Sequence, residues 1–381
     1  MDWLTVNRFK TYRVMRWHRS NYLWTTNPYL DKYRIKVTDD GPGPQDILAI
    51  PCPHVPGKEE YAHRDDRLRI NDGHRGDVEY ADTPMICDSS LDYAYLDPPM
   101  RRTVEMPQVR AYLTGVTFRD QLPQRRQCWG GEYYGAVYKH REIYNAGPEP
   151  RNERPALSDV YEKLKLFRPP TPPFDDDVFA HIASKILPLK DRPIDTFFSG
   201  RTTYFPRGER SHPTAIRQLL ERIWPTLPGN NVFRCYDNFA GTRKAGKKIK
   251  TFKYPYEYVD TLLQTKVVIS PWGWSPWCVR DLEALICGCI VIKPECSNML
   301  VYPDIYNPVN QCMIWGDLLY VGLVEQLNYI HSNLDEMQQR ADKSRKFVTA
   351  SLYPNDVLYQ YWTSRLRPLL DSIMNSKSYT R

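Results

Sequence analysis

Residues 266–294 read KVVISPWGWSPWCVRDLEALICGCIVIKP, and their pattern decides the fold. Val267, Val268 and Ile269 form a β-branched apolar run, as in a strand buried on both faces. Pro271-Trp272-Gly273-Trp274-Ser275-Pro276 breaks the chain, and Ser275 or Pro276 is suited to start a helix. That helix is expected to run to about Cys287, with Gly288 as its left-handed stop and Cys289-Ile290-Val291-Ile292 opening the next strand. The result is a βαβ unit whose helix N-terminus points where an anion would sit. On the helix, Arg280 and Glu283 are three positions apart and share a face, while Leu282, Leu285 and Ile286 take the core side. Two descriptions fit the pair. It is either an ion pair on a solvated helix face, or an arginine for a phosphate beside a carboxylate for a ribose diol.

The same alternation extends outward from this unit. A helix is expected over 179–187, followed by a strand over 194–198 that ends at Ser199-Gly200-Arg201. Ser211 or Thr214 can cap a helix reaching Ile223, with Ile216, Leu219, Leu220 and Ile223 on one face. A strand over 232–236 and a helix over 255–263 lead into the opening stretch. Helices over 321–330, 334–351 and 358–373 follow, the last carrying Trp362, Leu366, Leu369 and Leu370 at helical spacing. Strands alternating with helices imply a parallel sheet with ligands at the strands' carboxyl ends.

Residues 1–170 have a different texture, rich in Pro, Asp, Arg and Tyr, with short apolar runs such as Asp46-Ile47-Leu48-Ala49-Ile50, Pro84-Met85-Ile86-Cys87 and Val109-Arg110-Ala111-Tyr112-Leu113. The proline-rich segment Phe167-Arg168-Pro169-Pro170-Thr171-Pro172-Pro173 excludes both helix and central strand and reads as a linker. Asp175-Asp176-Asp177 just after it reads as the cap of the next helix.

The length of 381 residues suits two domains, and 41% hydrophobic with 25% charged residues marks a globular chain. No stretch approaches the roughly 18 apolar residues needed to span a bilayer. The N-terminal stretch lacks the apolar centre of a signal peptide, so a cytosol-like compartment is expected. Nine cysteines fall mostly in apolar runs and read as buried thiols rather than metal ligands. The net charge of +7 is mild, and the cluster Arg243, Lys244, Lys247, Lys248, Lys250, Lys253 is the best support for a nucleic-acid binder. It suits equally a loop that attracts a phosphate-bearing ligand.

The segment SPWGWSPWCVRDLEALICGCIVIKP resembles the donor-binding segment of exostosin-like and related GT-B glycosyltransferases at Ser270, Pro271, Gly273, Arg280, Glu283, Ala284 and Gly288. Asp195-Thr-Phe-Phe-Ser-Gly-Arg201 resembles the first strand and loop of that family's donor domain. The stretch from Tyr256-Glu-Tyr258 to Ser270 resembles the helix and strand before the motif. The family's usual small or acidic residues in the turn are replaced here by Ser275-Pro276-Trp277.

The resemblance implies an α/β GT-B fold, with two Rossmann-like domains facing a central cleft and a C-terminal helix crossing back to the first. The corresponding boundaries are 1–172 for acceptor binding, 173–355 for the nucleotide sugar and 356–381 for the returning helix. It also implies transfer of a sugar from a nucleotide-diphosphate donor, UDP-linked, to a glycan or glycoprotein hydroxyl, with inversion. Neither a metal nor a resident cofactor is implied. Arg280 would contact the diphosphate and Glu283 the ribose, with Ser199, Gly200, Arg201, Tyr254, Gly273, Trp274 and Ser275 completing the donor site. The base would come from the first domain, where Asp88 and Asp72 rank ahead of His54 and His74. A retaining GT-B transferase and a nonenzymatic nucleic-acid-binding protein using the 243–253 loop are the alternatives.

Overall fold

The computed structural model describes residues 3–8, 27–38, 47–51, 84–88, 109–114, 116–118, 164–167, 173–200, 212–235, 256–272, 277–297 and 299–375. They divide into two compact units: the described residues up to Phe167 together with 355–375, and residues 173–354.

The first unit is built on strands β1 (Leu4–Arg8), β2 (Ile35–Thr38), β3 (Ile47–Pro51), β4 (Met85–Asp88), β5 (Val109–Thr114) and β7 (Leu164–Phe167), with a short helix α1 (Tyr29–Lys32) and strand β6 (Val116–Phe118). The sheet runs β2-β1-β3-β4-β5-β7, and its paired strands are parallel. Its apolar face, with Val6, Ile35, Ile47, Ile86, Ala111 and Leu113, is covered by Trp362, Leu366, Leu370 and Ile373 from the far end of the chain.

The second unit opens with α2 (Asp176–Lys185), where Asp175 accepts from Val178 N–H at 2.9 Å, the capping role expected of that aspartate run. It continues through β8 (Ile194–Gly200), α3 (His212–Ile223), β9 (Asn231–Cys235), α4 (Tyr256–Leu263), β10 (Thr265–Ile269), α5 (Val279–Ile286), β11 (Ile290–Pro294), β12 (Met299–Val301) and β13 (Met313–Gly316). Helices α6 (Leu323–Ser332) and α7 (Leu334–Leu352) close it, and α8 (Asn355–Asn375) returns to the first unit. Thr214 lies inside α3 rather than at its cap, and α6 starts after Gly322, whose φ of 76° marks the turn into the helix.

The second sheet runs β13-β11-β10-β8-β9 with parallel neighbours throughout. From β8 the chain builds outward to β9, then reverses to β10, β11 and β13. That reversal makes a topological switch point between β8 and β10, the place where open parallel sheets bind ligands. Val267, Val268 and Ile269 are fully buried, as two-sided burial by flanking helices requires.

Tyr353 ties the end of the second unit to its start. Its O–H donates to Phe174 O at 2.9 Å, it accepts from Phe174 N–H at 3.2 Å, and its ring stacks on Phe179 at 4.1 Å. Two parallel-sheet α/β units, with the last helix given back to the first, have the connectivity of the GT-B fold. Among the described residues no helix is long and apolar enough to cross a membrane.

Candidate functional site at the switch point of the second sheet

The helix in the opening stretch is shorter than its sequence suggests. It begins at Val279 with Cys278 as N-cap, not at Ser275 or Pro276, so Arg280 sits in its first turn. A proline can occupy the first turn, but the start is set by tertiary anchoring of the next residues. Asp281, fully buried, accepts from the hydroxyls of Ser270 at the end of β10 and of Tyr306, and its Oδ2 lies 2.8 Å from Lys293 Nζ of β11. Both partners of the ion pair are at zero exposure. The first turn of α5 is thereby fastened to the two strands that flank it. Cys278 makes no side-chain cap, so the helix N-terminus, with its partial positive charge, is not closed by its own N-cap.

The other end of α5 is closed as the sequence predicts. Gly288 has a φ of 70°, and the bonds Gly288 N–H to Leu285 O and Cys289 N–H to Ala284 O, at 3.0 and 2.9 Å, make a Schellman motif. Arg345 donates to Ile286 O and buried Arg192 to Cys287 O, each at 3.1 Å, placing two cations on the negative end of the helix. The cysteines here are free thiols. Burial pushes the Cys289 thiol up to about 11, so it packs as a neutral group.

The carboxyl end of β8 faces the start of α5. Ser199 and Gly200 are buried there. A Cβ on Gly200 would stand 2.8 Å from Arg280 Nη2 and 3.3 Å from Arg217 Nη1, so glycine lets two guanidinium groups close on this strand end. The Arg280 guanidinium also lies over the Phe198 ring, 5.3 Å from its centroid. Arg217, 3% exposed, donates from Nε to Trp272 O at 3.3 Å, bridging α3 to the segment after β10 across the switch point. Trp272 in turn donates to Pro294 O at 3.2 Å. Two convergent arginines beside a helix N-terminus form a site whose charge and fork geometry suit a doubly charged anion.

Glu283 is not on a solvated face. It is 8% exposed and accepts from Tyr258 O–H of α4 at 2.8 Å. From Asp281 to Ile286 every residue of α5 is buried, so the expected division into a wet and a dry face does not hold. The packing of α4, α7 and the sheet around the helix is the reason.

Of the expected donor set, the structure brings Arg280 to Gly200, next to Ser199, while Glu283 lies one turn further along α5 against Tyr258 of α4. Asp88 is the last residue of β4, paired with Pro51 at the carboxyl edge of the first sheet. Asp72, Arg201, Tyr254, Gly273, Trp274 and Ser275, with His54, His74 and the 243–253 cluster, lie outside the described residues. Arg217, Tyr258, Asp281, Lys293 and Tyr306 were not read from the sequence. A lysine inside the otherwise apolar strand Ile290–Pro294 is a detectable signal of a buried charge partner. Arg217, next to the apolar positions of α3, is an ordinary helix residue until β10 is placed beside it.

No family model matches the chain. It is similar to the probable glucuronoxylan glucuronosyltransferase IRX7 of Arabidopsis thaliana, 23% identical over 218 residues, covering 55% of this chain and 44% of that protein. It is also 23% identical over 145 residues to a probable glucuronosyltransferase of Oryza sativa subsp. japonica, covering 36% of this chain and 27% of that protein. A 69-residue stretch is 42% identical to the tRNA-queuosine alpha-mannosyltransferase of Drosophila melanogaster, 18% of each chain. The chain therefore spans less than half the length of each of these relatives. Among solved structures, sucrose-phosphate synthase from Thermosynechococcus elongatus overlaps 97% of this chain and 100% of its own at 12% identity, with a TM-score of 0.47. The catalytic domain of starch synthase IV from Arabidopsis thaliana overlaps 93% of this chain and 77% of its own at 11% identity, also at 0.47.

Proposed function

We propose that this chain is a glycosyltransferase that moves a sugar from a nucleotide-diphosphate donor, UDP-linked, to a glycan or glycoprotein hydroxyl. The observation that carries this reading is the convergence of Arg280 and Arg217 on Gly200, at the switch point and in front of the α5 N-terminus. In the proposed reaction the acceptor oxygen attacks the anomeric carbon as the bond from that carbon to the diphosphate oxygen breaks. The diphosphate departs with the electron pair. Two fixed guanidinium groups and a helix N-terminus are aimed where that negative charge grows, and they stabilise it without reorganising. On this reading no metal is needed for the leaving group.

Transfer proceeds with inversion, and a carboxylate of the first unit, Asp88 or Asp72, takes the acceptor's proton. Glu283 holds the donor's ribose. The first unit binds the acceptor, while Arg201, Tyr254, Gly273, Trp274 and Ser275 complete the donor's surroundings. Similarity to two probable glucuronosyltransferases supports the reaction class and puts a glucuronosyl donor first among those to test.

A panel of UDP- and GDP-sugars, scored by thermal stabilisation and by donor hydrolysis, tests the reading. At least one donor is expected to stabilise the protein, and Arg280→Ala is expected to weaken its binding by about tenfold or more, the scale of a lost charge-assisted hydrogen bond. Stabilisation by none of them, with Arg280→Ala indistinguishable from the unaltered protein, would refute it.

A further inference from the structure

Asp281 puts a carboxylate in the first turn of α5, one residue after Arg280. A bare negative charge there would cancel the positive end of the helix and oppose an anionic ligand. It does not stand bare: Lys293 Nζ lies 2.8 Å from Oδ2, with both side chains at zero exposure. Two other titratable groups beside the lysine carry no charge, because burial pushes the Tyr306 phenol and the Cys296 thiol well above their ordinary ranges. The lysine's charge is thus balanced by Asp281. Strand register places this pair near the arginines. Val268 pairs with Phe197 and Ile269 with Ile292, so Ser270 stands level with Ser199 on one side and with Lys293 on the other. Asp281 accepts from the Ser270 hydroxyl, and neighbouring strands are about 4.8 Å apart, which sets the carboxylate within about 10 Å of the β8 end where Arg280 and Arg217 meet.

Resting on the donor-site reading above, we propose that Lys293 is a positioning residue of that site which acts through Asp281: it holds the carboxylate and cancels its charge, so that a diphosphate meets a net positive field. At a separation of about 10 Å, with the effective dielectric of a protein interior, one uncompensated charge changes the affinity for an anion by about tenfold. The effect has a sign, which separates it from a structural role. Removing the lysine exposes the ligand to the carboxylate and weakens binding. Removing the carboxylate's charge exposes the ligand to the lysine and tightens binding. Asp281→Asn suits the second case, because its amide oxygen can still accept from the Ser270 and Tyr306 hydroxyls.

The experiment measures dissociation constants for UDP and inorganic pyrophosphate by titration calorimetry, below the melting temperature of each protein. The proteins are the unaltered chain, Lys293→Met, Asp281→Asn and the double variant Asp281→Asn/Lys293→Met. Lys293→Met is expected to weaken both ligands by about tenfold and Asp281→Asn to tighten them by up to about tenfold, with the double variant between the two. A pair that only props up the helix would lower the melting temperature and weaken binding in both single variants. Weaker binding in Asp281→Asn, or unchanged affinity in either single variant, overturns the inference and leaves the donor site standing. Should one single variant fail to fold, the other compared with the double variant reads the same sign: the double must bind more weakly than Asp281→Asn, or more tightly than Lys293→Met, and the reverse overturns the inference. Failure of the unaltered protein to bind either ligand overturns the donor-site reading and the inference with it.

Discussion

Asp281 and Lys293 form an ion pair at zero exposure behind the site, and Ser270 and Tyr306 complete it. Burial, and then the adjacent Asp281 charge, push the Tyr306 phenol well above its ordinary range, so it stays protonated and donates. Such a pair adds little to stability compared with an apolar replacement, but it is costly to break on one side. Asp281→Ala should therefore lower unfolding free energy by about 3–5 kcal/mol, read from urea denaturation. Adding Lys293→Met should recover part of that loss, because the orphaned cation is then removed. If Asp281→Ala costs under about 1 kcal/mol, Lys293 has found solvent or another partner and the network does not anchor α5.

At the scale of elements, α5 has an asymmetric design. Its N-terminus has no side-chain cap from Cys278, whereas its C-terminus is closed by Gly288, Arg192 and Arg345. Gly288 has two reasons to be glycine. Its φ is 70°, and a Cβ there would meet Ile186 Cδ1 at 3.0 Å and Arg192 Nη2 at 3.1 Å. Gly288→Ala is expected to destabilise the protein by about 1–2 kcal/mol from the left-handed backbone alone. The drop in melting temperature should come with little change in donor affinity, since the residue sits at the end of the helix away from Arg280. A loss of affinity larger than the loss of stability would mean that the two ends of α5 are coupled.

For the whole molecule, the decisive feature is that the first unit is incomplete without the last helix. Trp362, Leu366, Leu370 and Ile373 of α8 lie in its core, Arg367 donates to Tyr33 O and Arg34 O at 2.9 and 3.0 Å, and Asn27 donates to Thr363 Oγ1 at 2.9 Å. Each large apolar side chain so buried contributes about 1.5–3 kcal/mol, so the four together are comparable with the whole net stability of an ordinary domain. A chain ended after Pro354 should leave the second unit protected from protease and the first one open to it. Equal protection of both units in limited proteolysis would show that α8 is dispensable to the first unit's fold.

Much of this organisation is carried by the sequence itself. Period and punctuation suffice for the βαβ unit around residues 266–294, because a β-branched run, a glycine stop and a second apolar run each act locally. The same holds for the helical spacing of Trp362, Leu366 and Leu370, and for the Asp175 cap. Only the tertiary structure decided which side chains meet at the site. Arg280 reaches Gly200 because β8 and β10 are neighbours across the switch point, and Tyr258 reaches Glu283 because α4 packs against α5. It also decided where α5 begins, since Asp281 is pinned by residues 11 and 25 positions away. Local pattern is set by bonds and sterics between near neighbours, whereas a binding site is made by contacts that exist only after the chain has closed on itself.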